Sequence, residues 1–131
     1  MEREISRPES GEFGQTFDLS GALRRLRGDR KLLGDMITFF LEDYEQALSA
    51  VRHAARDGNC EKLSLAAHNL KGLAANFDSV EVVDSASAIE LHAKEGDLDC
   101  SRKLVPTLEK STARLAADLS KYRRSNRDGE A

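Results

Sequence analysis

The sequence predicts an all-α fold, an antiparallel up-down four-helix bundle with a short additional N-terminal helix. Three observations support it. Apolar residues recur at helical spacing along most of the chain, as helices with one buried face require. No segment alternates convincingly as a strand, and the chain has only 2 prolines, 2 tyrosines and no tryptophan. The long amphipathic segments are joined by short polar breaks, and such segments pack most simply as an antiparallel bundle.

Residues 1–16 mix proline, glycine, serine and charge without periodicity and are expected to form a flexible tail or linker. Residues 124–131 read the same way. Residues 17–123 between them form one domain, since 131 residues can bury one core but not two. A short helix begins at Asp18, an N-cap candidate, and runs to Gly28. A long second helix starts at Asp29, with Leu33, Met36, Ile37, Phe40, Tyr44, Ala47, Val51 and Ala54 on its apolar face. "RDGN" at 56–59 stops it. The third helix carries "LSLAAHNLKGLAANFDS" and ends near Asn76–Asp78. "SVEVVDSASAIELHAKEG" supplies the fourth, whose stripe of Val82, Ala86, Ile89 and Ala93 runs to a stop at Gly96. Asp97 or Asp99 caps the last, with Leu104, Leu108, Leu115, Leu119 and Tyr122 on one side. Pro106 removes a backbone donor inside that pattern and predicts a kink or a restart. The first short helix is expected to lie across one end.

Composition excludes several function classes. Net charge is −3, from 20 basic and 23 acidic residues spread along the chain, and no basic block is interleaved with aromatics, so nucleic acid is not an expected partner. Cys60 and Cys100 lie far apart with no second cysteine near either, which predicts two reduced thiols and no metal site. "MEREISRPESGEFGQ" has no apolar run and does not read as a signal peptide, and no stretch of about 18 apolar residues exists to span a membrane. A soluble, cytoplasmic protein is expected.

The third helix places a histidine, a lysine and a glycine together in its middle. At 100° per residue, Leu63, Ala66, Leu70, Leu73 and Phe77 fall within a sector of about 80° and form the core stripe. His68 lies about 160° from Leu70 and therefore faces solvent. Glu61, Ser64, Leu65, Lys71, Gly72 and Ala75 share its exposed face. Gly72 is about 1 kcal/mol worse than alanine in mid-helix, and sits one turn from His68, where a side chain would crowd the imidazole. Lys71 brings an ammonium within reach of an anion attached to the ring, while Ser64 and Ala75 keep the surface low. An exposed nucleophile, a cleared approach and a nearby cation suit transfer of a phosphoryl group to a histidine nitrogen. A surface histidine without a role is the other reading that this geometry leaves open.

Competing chemistries find no residues. No serine or cysteine stands at a recognisable nucleophile position, and no aspartate or glutamate is spaced to pair with His68. His53 and His92 read as surface residues, no inward Glu-x-x-His pairs exist for a dinuclear metal site, and the phosphate-binding G-x-x-x-x-G-K-[ST] loop is absent.

"AAHNLKGLAANFDS" resembles the signature of the histidine-containing phosphotransfer (HPt) domain family of phosphorelay signalling, an alanine–histidine followed by leucine–lysine–glycine. The resemblance extends over residues 17–122. It implies that His68 is the phosphoacceptor, that Lys71 stabilises the phosphoryl charge and that Gly72 gives a partner's active site room. The phosphoryl group would come from an aspartyl phosphate on one receiver domain and pass to another. The implied partners are response-regulator receiver domains, a hybrid sensor kinase's among the candidates. They would supply Mg²⁺, so this chain would hold no cofactor and no kinase or phosphatase activity, and it would act as a monomer. One position departs: the family usually has glycine ten residues after the histidine, where this chain has Asp78. Aspartate tolerates the left-handed backbone better than most residues, so the turn is expected to survive.

Two alternatives stand beside this reading. One is the histidine module of a chemotaxis-type kinase, phosphorylated by an ATP-bound catalytic domain. The other is a non-catalytic helical adaptor. For a docking surface, Leu65 lies about 60° from His68 on the exposed face, with Ser64 and Ala75 beside it. Leu32 and Phe39, at the edge of the second helix's apolar sector, are further candidates, unless they pack under the first helix.

Overall fold

The computed structural model describes residues 16–130, with side chains through Ser125. The described residues form five helices and no strand: α1 (Leu19–Arg25), α2 (Arg30–Asp57), α3 (Cys60–Ala75), α4 (Val80–Lys94) and α5 (Leu98–Glu130). Local chemistry sets their ends. Asp18 accepts from the Gly21 amide, Asp29 from Leu32 and Asn59 from Lys62, each satisfying a donor that a helix start leaves unpaired. Gly58, at φ +72°, ends α2 in the left-handed conformation that glycine adopts without strain. Asp97 caps the last helix through the Cys100 amide at 3.1 Å.

The packing follows the apolar stripes. α3 packs between α2 and α4, and α5 packs on both α4 and α2, so the four long helices enclose one core. Phe40 and Phe77 meet edge to face at 5.7 Å at its centre, and Tyr44 stacks on Phe40. Alanines line much of the α3–α4 side, with Ala66, Ala67, Ala74, Ala86 and Ala93 all buried. Small side chains let two backbones approach closely, so α3 buries a wider sector than the five-residue stripe, while Leu73 is only half-buried.

Some expectations give way. α5 continues to Glu130, beyond the domain end expected at 123. It also runs through Pro106 as one element, without the restart. Of the N-terminal tail expected at 1–16, residues 1–15 lie outside the described residues, but Thr16 is buried and donates to Asp118 at 2.7 Å. Phe17 meets the Tyr122 ring edge-on at 6.2 Å, so the chain is already packed on α5 before α1 starts.

Asp78 takes the left-handed conformation, at φ +54°. Its carboxylate is bonded to Arg25 of α1, and Arg25 also donates to the Ala75 carbonyl at 3.0 Å. The same carboxylate lies over Gly21, where a Cβ would collide with it. The short helix therefore braces the turn that ends α3.

Candidate functional site

His68 projects from the middle of α3 with its side chain 58% exposed. Its exposure follows from the helical phase: the core takes Leu63, Ala67, Leu70 and Ala74, and the imidazole leaves on the far side. The ring is nevertheless held. Nδ1 lies 3.1 Å from Oε2 of Glu90, on α4. Lys71 Nζ donates to the other oxygen, Oε1, at 2.8 Å, and Lys94 Nζ lies 3.3 Å from Oε2. One carboxylate thus gathers an imidazole and two ammonium groups.

Glu90 is the residue that inspection of α3 alone misses, and it corrects the expectation that no carboxylate pairs with His68. Its side chain is 10% exposed. A carboxylate so placed needs cations or donors to remain ionised. The hydrogen bond from Lys71, followed by those from Lys94 and His68, outweighs desolvation and lowers its pKa to about 2. The sequence did hold a signal. Glu90 stands four residues after Ala86 and three before Ala93, on the flank of α4's apolar stripe, where an acid must be buried and therefore partnered.

The carboxylate favours one tautomer of the neutral ring. An ionised carboxylate only accepts, so the proton between the two groups belongs to Nδ1. Nε2 then carries the free lone pair, and among the described residues no group bonds to it. The arrangement can present a neutral imidazole with one nucleophilic nitrogen, its other nitrogen backed by a negative charge that stabilises positive charge developing on the ring.

The flanking residues divide in two. Toward α4, Ser64 is buried and Lys71 is 29% exposed. Ser64 was expected on the exposed face. It lies on the flank that α4 covers, which a helical wheel without neighbours cannot show. Between α3 and α4 a cleft of about 640 Å³ is lined by Cys60, Ser64, His68, Glu90 and Lys94 among others. On the other flank Gly72 is open; Leu65, 62% exposed, stands between the α4 cleft and a groove shared with α2, and Ala75, also exposed, borders Val80, Val83 and Asp84 of α4. A Cβ built at Gly72 meets nothing within 4 Å outside its own helix backbone, the His68 ring included. No packing in the described fold requires that glycine, and crowding of the imidazole takes a side chain longer than alanine's.

Leu32 and Phe39 are exposed and do not pack under α1. They are also not brought beside Leu65. Leu65 borders a groove with Ala50, His53, Ala54 and Asp57, whereas Phe40, next to Phe39, meets Phe77. Eleven residues of α2, at 1.5 Å each, separate Phe39 from Ala50, the nearest α2 member of that groove, by about 16 Å. His53 is a surface residue as expected, with Nδ1 3.4 Å from Ser49 Oγ. His92 is not: it is half-buried, and its Nδ1 is closed off from solvent without a hydrogen-bond partner.

Residues 35–118, more than half of the chain, match the family model described as the Hpt domain. Among curated proteins and solved structures none matches. No helix among the described residues is long and apolar enough to cross a membrane.

Proposed function

Because the chain belongs to the Hpt domain family, whose members carry out histidine phosphotransfer in two-component phosphorelays, we propose that His68 is its phosphoacceptor. The observation that carries this reading is the ring itself: Nδ1 tied to Glu90 at 3.1 Å, Nε2 unbonded, and the side chain 58% exposed.

The Nε2 lone pair attacks the phosphorus of an aspartyl phosphate on a receiver domain. The Nε2–P bond forms as the P–O bond to the aspartate breaks, and the carboxylate leaves with its electron pair. Nδ1 keeps its proton, so the ring gains positive charge, which Glu90 stabilises. Lys71 and Lys94, already at the carboxylate's two oxygens, can turn their ammonium groups toward the phosphoryl oxygens. The reverse attack by a second receiver's aspartate returns the ring to its starting state. The receiver supplies Mg²⁺ and most of the positioning, so one oriented imidazole suffices on this side. Gly72 leaves one flank of the ring open to the incoming domain, Leu65 and Ala75 offer exposed surface beside it, and Leu32 and Phe39 would meet only the margin of its footprint.

The same reading takes the bundle as up-down and antiparallel. Connections of two residues after α2, four after α3 and three after α4 leave no length for a crossover. A monomer serves the role, since the imidazole and its partners come from one chain.

Incubating the protein with a phosphorylated receiver and Mg²⁺ tests the proposal. An acid-labile phosphate should appear on the wild-type chain and not on His68→Gln. A helical adaptor would bind or ignore the receiver and acquire no phosphate.

A further inference from the structure

Beyond the His68 site, the turn between α4 and α5 gathers a second set of chemically distinctive side chains. His92 comes from the last turn of α4, Asp97 caps α5, and Cys100 lies in its first turn. Each offers a ligand atom, and these atoms all lie within 4.8 Å of one another. His92 Nδ1 is 3.8 Å from Asp97 Oδ2 and 4.0 Å from Glu95 Oε1. We propose that His92, Asp97 and Cys100 bind one zinc-class transition-metal ion, with Glu95 or water completing the coordination.

The geometry suits this class. Zinc takes nitrogen at about 2.0 Å, oxygen at about 2.0 Å and sulfur at about 2.3 Å in a tetrahedron, which separates ligand atoms by roughly 3.3–3.8 Å. The observed spacings need only side-chain rotation to reach that. An imidazole, a thiol and a carboxylate form a mixed set that favours zinc, cobalt or copper over magnesium or calcium, which want oxygen alone. Coordination replaces the Cys100 thiol proton with the metal and releases it to solvent.

Two further observations point the same way. Asp97 is held by its cap: Oδ1 accepts the Cys100 amide, which leaves Oδ2 turned toward His92. The His92 Nδ1 is buried with no hydrogen-bond partner, in the direction a ligating nitrogen would need. The four positions fall on two helices and the turn between them, where Gly96 at φ +78° reverses the chain. A scan for ligand spacing along single helices passes over them. Because Lys94 and Gly96 also line the His68 cleft, a bound ion would pin one wall of that cleft.

Cobalt titration of the reduced full chain tests the site. One equivalent should bind with a thiolate-to-cobalt charge-transfer band that zinc abolishes, and zinc should raise the melting temperature. Cys100→Ser should lose the band, and His92→Gln should weaken cobalt binding at least tenfold, both with unchanged helical circular dichroism, while Cys60→Ser binds as wild type. A wild-type chain without the band, or a band that survives in Cys100→Ser, overturns the assignment. If Cys100→Ser fails to fold, Cys60→Ser decides the matter: the band must survive there, and its loss overturns the assignment.

Discussion

The two flanks of His68 on α3 differ in what they offer the ring. Toward α4 the ring meets a nearly buried carboxylate, two ammonium groups and a buried serine. Away from α4 lie Gly72 and open space, with the exposed Leu65 side chain at the mouth of the cleft. The first flank sets the state of the imidazole, because Glu90 fixes where the proton sits. The second leaves it reachable. A nucleophile that must meet another protein's active site needs both, and the helix supplies each from a different side.

Removing the ring that both flanks serve has the largest effect. His68→Gln should abolish phosphoryl acceptance, measured as acid-labile phosphate. Its melting temperature should stay close to wild type, because the side chain is mostly in solvent. A collapse of stability would show that the closed flank holds the bundle together through the histidine.

Glu90→Gln breaks the closed flank alone. It keeps the shape, removes the charge, and leaves Lys71 half-buried without its partner. The acceptance rate should fall about 10–100-fold, the usual penalty for losing a group that orients a reactive ligand. Thermal melts across acidic pH sharpen the point. Glu90 has a folded-state pKa of about 2 against an ordinary 4.5. Its contribution is therefore complete above pH 4.5 and disappears as pH falls toward 2. The wild type should exceed Glu90→Gln in stability at neutral pH, and the gap should close over that interval.

Substitutions on the open flank should act more weakly and through the partner. Gly72→Gln should stabilise α3 by up to about 1 kcal/mol yet slow transfer from a receiver about tenfold, the effect of a clash of about 1.4 kcal/mol. Gly72→Ala should transfer within a few-fold of wild type, since its Cβ reaches nothing. Equal slowing in both would mean that the helix needs the glycine's backbone freedom and that clearance is not the reason. Smallest is Leu65→Glu, which should raise the receiver concentration needed for half-maximal transfer a few-fold, about 1 kcal/mol, with no loss of helicity. An unchanged concentration dependence would remove Leu65 from the docking surface.

The same contrast explains what was legible beforehand. Helix starts at Asp18 and Asp29, and the stop at Gly58, depend on contacts within a few residues, so the sequence displays them directly. The exposure of His68 needs only the helical period. Glu90 lies 22 residues away in the chain, and its partnership needs the choice of neighbour and register that packing alone makes. Ser64 differs from expectation for the same reason: its angle on the helix faces away from the core stripe, but α4 covers that angle. His92 reads as a surface residue in the sequence because the turn that folds Asp97 and Cys100 back toward it lies outside its own helix. At the far end of α5, polar composition suggested a tail where the helix continues, since a helix already nucleated adds residues at little penalty.

Gly21 and Asp78 impose an order on sequence change. While Asp78 stays bonded to Arg25, a methyl group at position 21 has no room, and the Asp18 carboxylate that caps α1 would also have to turn. Glycine at 78 relieves both the left-handed backbone and the nearer obstruction, after which a methyl group at position 21 asks only that the Asp18 carboxylate turn aside. The reverse order passes through a strained intermediate. An acid at position 78 thus favours glycine at 21, and tolerance at one position depends on the residue 57 positions along the chain.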